Sequence, residues 1–177
     1  MSPSQRLGLL SLLLLAACDQ GPATVTPYIH PKGTLDFLAA ATRGGGPLYL
    51  EIDGDPFGSG EALEDRVVAA MEPALQSRVL SLTTDQDAAE DASFRVVLVF
   101  NPPGGGELFS FCAQQPEGGP PKAAERLELR AGFCRGDDLL AAVDGWVEEA
   151  GGPEDARFTQ LLHQVVRGLF ARQSSDD

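Results

Sequence analysis

Positive charge is scarce in this chain, and so is histidine. Lysine occurs only as Lys32 and Lys122, and histidine only as His30 and His163. With 13 basic against 26 acidic side chains, the formal net charge is −13 at pH 7. A surface of that sign repels nucleic-acid phosphates and anionic headgroups, which argues against both as direct partners. His30 lies among prolines and His163 on the polar side of a helical pattern, so neither is an evident general base. The serine-hydrolase G-x-S-x-G, the phosphate-cradling G-x-x-x-x-G-K and the zinc H-E-x-x-H patterns do not occur. Cysteine is limited to Cys18, Cys112 and Cys134, with no C-x-x-C pair and no histidine at zinc-ligand spacing. No catalytic residue, metal site or cofactor is therefore expected, and the chain reads as a non-enzyme. Sustained apolar runs are also few. The longest, over residues 7–15, is shorter than the ~20 residues a spanning helix needs.

That run is nevertheless the most informative stretch present. Arg6 precedes it, and Leu15-Ala16-Ala17-Cys18 closes it. A basic start, an apolar centre and small residues before a cut site make a secretory signal. The cysteine directly after Leu-Ala-Ala resembles the lipobox of bacterial lipoprotein precursors. That resemblance implies removal of residues 1–17 as a signal peptide and acylation of Cys18, which becomes the first residue. An ordinary cleaved signal would instead leave Cys18 a free thiol, an odd cysteine without a role in an exported chain. Each buried methylene contributes about 0.8 kcal/mol, so two or three chains anchor a protein that has no spanning helix. Asp19 follows the lipobox cysteine, and the same resemblance implies retention on the periplasmic face of the inner membrane rather than transfer to the outer one. Arg6 is the only basic residue before Cys18, so cleavage makes the chain one unit more negative.

With Cys18 given to lipid, Cys112 and Cys134 remain as an even pair in an oxidising compartment, where a disulfide is the expected state. Residues 18–33 hold several prolines and glycines and no apolar period, and read as the lipidated N-terminus and a flexible tether. Residues 34–177 are expected to form one globular domain. Thr34 should cap a short helix carrying Leu35, Phe37, Leu38 and Ala41, stopped by the glycines at 44–46. The alternation in LYLEID, residues 48–53, predicts a strand, and Leu63, Val67, Ala70, Met71 and Leu75 predict an amphipathic helix after it. Residues 78–84 read as a short strand, and 94–100 (FRVVLVF) as a central one. Alternation also predicts neighbouring strands over 107–112 and 126–134, ending in the two cysteines. Residues 137–149 carry helical spacing, yet Gly145 and the turn-forming Arg135-Gly136-Asp137 favour a returning strand. The last element is a helix after Pro153 with Phe158, Leu161, Leu162, Val165, Val166, Leu169 and Phe170 on one face.

The loop after the first predicted strand places Asp53, Asp55, Gly58, Glu61 and Glu64 near the spacing of a calcium loop. Phe57 and Gly60 break that pattern, and acidic residues at a helix start are favoured by the dipole alone. Trp146 reads as packing rather than a ligand platform. Beyond the lipobox, LYLEIDGDPFG, FRVVLVFNPP, LELRAGFCRGD and the closing helix together resemble small uncharacterised lipoproteins of Gram-negative bacteria, which implies a globular domain behind a tether and no particular activity. The element order predicts an α+β two-layer sandwich: a mixed sheet of about five to six strands with two main helices on one face. The expected role is that of a membrane-anchored periplasmic protein that binds or scaffolds an envelope partner. An unrecognised envelope enzyme and a small-ligand or metal-binding lipoprotein are the competing readings.

Overall fold

The run Phe94–Phe100 is buried at every position but Arg95, and in the computed structural model it forms an interior strand of a six-stranded mixed sheet. The structure describes residues 21–75, 80–104, 107–114, 117–119 and 126–171. Its strands are β1 (Ala23–Ile29), β2 (Leu48–Asp53), β3 (Leu82–Thr83), β4 (Phe94–Phe100), β5 (Arg126–Arg135) and β6 (Asp138–Glu148). They lie side by side in the order β1-β6-β5-β4-β2-β3. β2 pairs in parallel with both β3 and β4, and the pairings on the β5, β6 and β1 side are antiparallel. The helices are α1 (Leu35–Ala41), α2 (Glu61–Met71), α3 (Phe111–Gln114) and α4 (Ala156–Leu169). The α+β architecture expected from the element order is therefore present.

The main core lies between one face of the sheet and the two main helices, α2 and α4, with the short α1 beside them. Leu48, Leu50, Val96, Leu98, Phe100, Leu129, Ala131, Phe133 and Val143 meet Leu38, Leu63, Val67, Met71 and the apolar stripe of α4. Side chains two apart on a strand share a face, so the alternation read from the sequence sends these residues inward together. Burying a Leu or Phe contributes roughly 1.5–3 kcal/mol, so this layer dominates stability. Phe158 is fully buried and meets Phe57 edge-on at 5.1 Å, which ties α4 to the loop that follows β2. Arg66 on α2 reinforces the same corner, donating to the Pro153 carbonyl at 3.2 Å and the Thr159 hydroxyl at 3.0 Å.

Several expectations are corrected here. Residues 23–29 are an edge strand on β6, not tether. Pro27 lacks an N–H to give a ladder, which an edge strand tolerates, and the pairing is irregular between Val25 and Tyr28. Residues 107–112 do not form a strand. Leu108–Ser110 make a 3-10 turn that runs into α3. Phe111 sits over Gly132 so closely that a Cβ there would lie 2.6 Å from its ring, so the segment crosses the sheet face instead of joining an edge. Thr34 precedes α1 but does not cap it; its hydroxyl donates instead to the Leu169 carbonyl at 2.7 Å, satisfying the end of α4. Of the strand expected over 78–84, residues 78–79 lie outside the described residues, and within 80–84 the strand is Leu82–Thr83. Segment 138–148 is a strand. Gly145 suits it because the missing side chain lets Leu161 of α4 and Thr24 of β1 close in: a Cβ there would sit 2.8 Å from Leu161 Cδ1.

Candidate functional site

The second face of the sheet carries no long helix, and it is the face on which a function has room. Register places Tyr49, Glu51 and Asp53 of β2 beside Arg95, Val97 and Val99 of β4, followed by Cys134, Gly132 and Arg130 of β5 and Ala142 and Asp144 of β6. At its centre lies a small apolar cluster of Val97, Val99, Phe111, Cys112, Cys134, Leu139 and Ala142, with Tyr28 and Leu108 packed against it. A disulfide joins Cys112 to Cys134 with their Cα atoms 5.8 Å apart, so the pair expected from cysteine count is present. It links α3 to β5, however, and not two neighbouring strands.

Among the described residues, Phe109 and Val25 are the large apolar side chains most exposed to solvent, at 66% and 51%. Phe109 stands edge-on against Tyr28 at 5.0 Å, and Val25 pairs with Asp144 one register step away along β1. Together with Tyr28 they form an apolar ridge along the β1 edge of this second face, which carries the short α3 but no long helix among the described residues. Sequence reading missed it because residues 23–29 carry three prolines' worth of loop character around them and because Phe109 had been assigned to a strand. The Phe-Ser-Phe run beside a cysteine, of which Phe111 is buried and Phe109 exposed, was the available signal.

Polar groups on this face are mostly paired with one another. Arg130 donates twice to Asp144, at 2.6 and 3.1 Å, and this hydrogen bonding holds its guanidinium above its usual basicity. Arg95 donates to Glu51 at 3.0 Å, to the Cys112 carbonyl at 2.7 Å and to the Gly136 carbonyl at 3.0 Å, clamping α3 and the β5–β6 turn onto the sheet. Tyr49 is shifted upward, chiefly by burial and then by the nearby Glu51. Farther along, Arg126 lies over the half-buried Trp146 ring at 4.6 Å, with Glu128 and Glu148 within 4 Å of its Nε.

The ends of the parallel strands β2 and β4 are the other place where chemistry commonly sits in such sheets. Burial, and then the charge of Glu117, push the Asp53 carboxyl upward there. Burial also acts against the charge of Asp55, but backbone N–H groups of Gly60, Phe57, Gly58 and Ser59 outweigh it and hold that carboxyl below its ordinary value. Phe57 and Gly60 donate to the two oxygens of Asp55 at 3.0 and 2.7 Å, so Asp55 folds the loop on itself. Asp53 thus ends β2, paired with Val99, and Asp55 lies in the loop after it, while Glu61 and Glu64 are exposed on the first turn of α2. Among the described residues no three His, Cys, Asp or Glu side chains gather as metal ligands. His30 is half-buried, set edge-on to Phe37 at 5.1 Å, and His163 is half-buried on α4, so the two lie on separate elements. Cys18 falls outside the described residues. No helix among the described residues is long and apolar enough to cross a membrane.

No family model matches the chain, and no curated protein matches it. Among solved structures it is similar to the PelC dodecamer from Paraburkholderia phytofirmans, at 12% identity with a TM-score of 0.46, covering 86% of this chain and 99% of that one. A point variant of the same PelC dodecamer aligns at 9% identity with a TM-score of 0.43, covering 86% and 98%. A likeness this distant fixes neither membership of a family nor a role.

Proposed function

We propose that the chain is a lipid-anchored protein of the cell envelope that binds an envelope protein partner and catalyses no reaction. In this reading residues 1–17 are removed, Cys18 is acylated, and the folded part faces the periplasm, with Asp19 favouring the inner membrane. The observation that carries the binding role is the ridge of Val25, Tyr28 and Phe109 on the helix-free face. An aromatic side chain left in water, as Phe109 is, beside a satisfied polar surface is a usual anchor of a protein interface. The pairing of Arg130 with Asp144 and of Arg95 with Glu51 supports the same view, because those groups hold the sheet instead of reaching toward a substrate. The oxidising side of a membrane is in keeping with the disulfide.

Photo-crosslinkers placed at Phe109 and at Ala69, an exposed position on α2, test this in the native host. Position 109 is expected to give a discrete adduct of defined mass, lost in the presence of a Val25→Asp change, while position 69 gives none. Equal labelling from both positions, or none from 109, overturns the docking role. The Cys18→Ser variant tests the anchor separately: it is expected to leave the membrane fraction or stall before processing, and unchanged partition overturns the anchor.

A further inference from the structure

We propose that the end of the sheet bearing Trp146 and Arg126 rests against the headgroup layer of the bilayer, taking up zwitterionic phospholipid. The inference rests on the lipid anchor at Cys18 and concerns how the folded part is oriented once anchored. The first strand begins at Ala23, only five positions beyond Cys18. An extended chain covers at most ~3.6 Å per residue, so Ala23 lies within about 18 Å of the acylated residue. The strand's entry is also fixed, because Gln164 on α4 donates to the Pro22 carbonyl at 3.2 Å.

Ala23 pairs directly with Trp146. Paired Cα atoms in an antiparallel ladder are ~4.5–5.5 Å apart, so the indole is tied to the point where the chain leaves for the lipid. The opposite end of β6, at Asp138, is eight residues from Trp146, and at ~3.4 Å per residue it stands roughly 27 Å farther off. A short leash therefore brings one end of the sheet to the membrane and keeps the other away. The side chains at the near end suit a lipid boundary. Tryptophan concentrates at membrane interfaces, with its ring at headgroup depth, and a guanidinium beside it donates well to phosphate. Arg126 covers the Trp146 ring while Glu128 and Glu148 flank its Nε. Those carboxylates, with a chain charge of −13, oppose anionic lipid, which is why the fit is to a headgroup that carries both signs. Tyr28 and Phe109 of the ridge lie farther along β1 and β6, where Tyr28 pairs with Ala142, and remain open to a protein partner, while Val25, paired with Asp144, lies between them and Trp146.

The chain has a single tryptophan, so its fluorescence reports this contact without alteration. The acylated protein is reconstituted into phosphatidylethanolamine–phosphatidylcholine vesicles containing lipid brominated near the headgroup or near the chain end, and flotation is measured on the same samples. The expected result is a loss of about half the Trp146 emission with the shallow bromine, several-fold stronger quenching than with the deep one. Acrylamide access to Trp146 is expected to fall on vesicle binding. Protein that floats but shows no bromine quenching and unchanged acrylamide access overturns the orientation while leaving the anchor intact. Protein that does not float overturns the anchor and the orientation with it. A Trp146→Phe, Phe109→Trp pair of changes is expected to float and remain unquenched, and quenching equal to that at position 146 also overturns the proposal.

Discussion

Asp155 caps the start of α4 and ties it to the loop before it, and replacing it by alanine gives a measurable test of how the main core is closed. At the N-cap, its Oδ1 accepts from the Arg157 backbone N–H at 2.9 Å and its Oδ2 from the Gly151 N–H at 3.0 Å. The Arg157 guanidinium also donates to it at 2.9 Å, and this bond, followed by the one from Gly151, holds the carboxyl far below the usual range. Losing the cap costs about 1 kcal/mol. The second backbone bond, to a charged acceptor, adds about 1.5 kcal/mol. Arg157 is a third exposed, so the ion pair itself adds little. The sum is about 2.5 kcal/mol, which for a chain of this size lowers Tm by about 5–10 °C.

Thermal unfolding followed by circular dichroism measures the loss, with Asp155→Asn as the variant that keeps a cap but not the charge. The folded carboxyl is depressed, so its contribution is complete above the unfolded value of about 4 and is lost as pH falls toward the folded one. The gap between wild type and Asp155→Asn is therefore expected to be constant from pH 7 to about 5 and to shrink steadily below about 4. A loss under about 0.5 kcal/mol for Asp155→Ala at pH 7, or a gap that widens on acidification, refutes this account of the cap.

Two further outcomes follow from the helix-free face. Replacing both Cys112 and Cys134 by alanine opens a loop of 22 residues and is expected to cost about 3 kcal/mol in the chain-entropy account, read as a lower urea midpoint; an unchanged midpoint contradicts it. Asp53 is shifted upward by burial, so its charged form is disfavoured in the fold at neutral pH, and Asp53→Asn is expected to raise Tm at pH 7 and to have no effect once the wild-type carboxyl is protonated below about pH 4.

The helix-covered face was legible because its signals are local. Leu48, Leu50 and Ile52 alternate, Phe158 through Phe170 keep a 3.6-residue period, and each pattern survives into the structure. Gly136, at φ +55, makes the turn that returns β5 as β6, and that position was readable as a hairpin. The errors fall where a distant partner decides. Ala23–Ile29 looks like linker by composition, and only the open edge of β6 makes it a strand despite Pro27. Residues 107–112 alternate like a strand, but the bond to Cys134 and the space over Gly132 turn them into a helical strap. The apolar ridge arises from both of these segments at once, so no single stretch of sequence announces it. Thr34 shows the same lesson on a smaller scale: its type suits a cap, yet its hydroxyl serves α4, far along the chain.

The claim that this is an anchored envelope protein is tested most directly by the mass of its mature N-terminal peptide, taken from native membranes by detergent extraction and proteolysis. The account predicts a peptide beginning at Cys18, heavier than its unmodified mass by a diacylglyceryl group, with Asp19 and Gln20 following. An unmodified Cys18, or a peptide that retains residues of the 1–17 segment in the membrane-extracted protein, contradicts it.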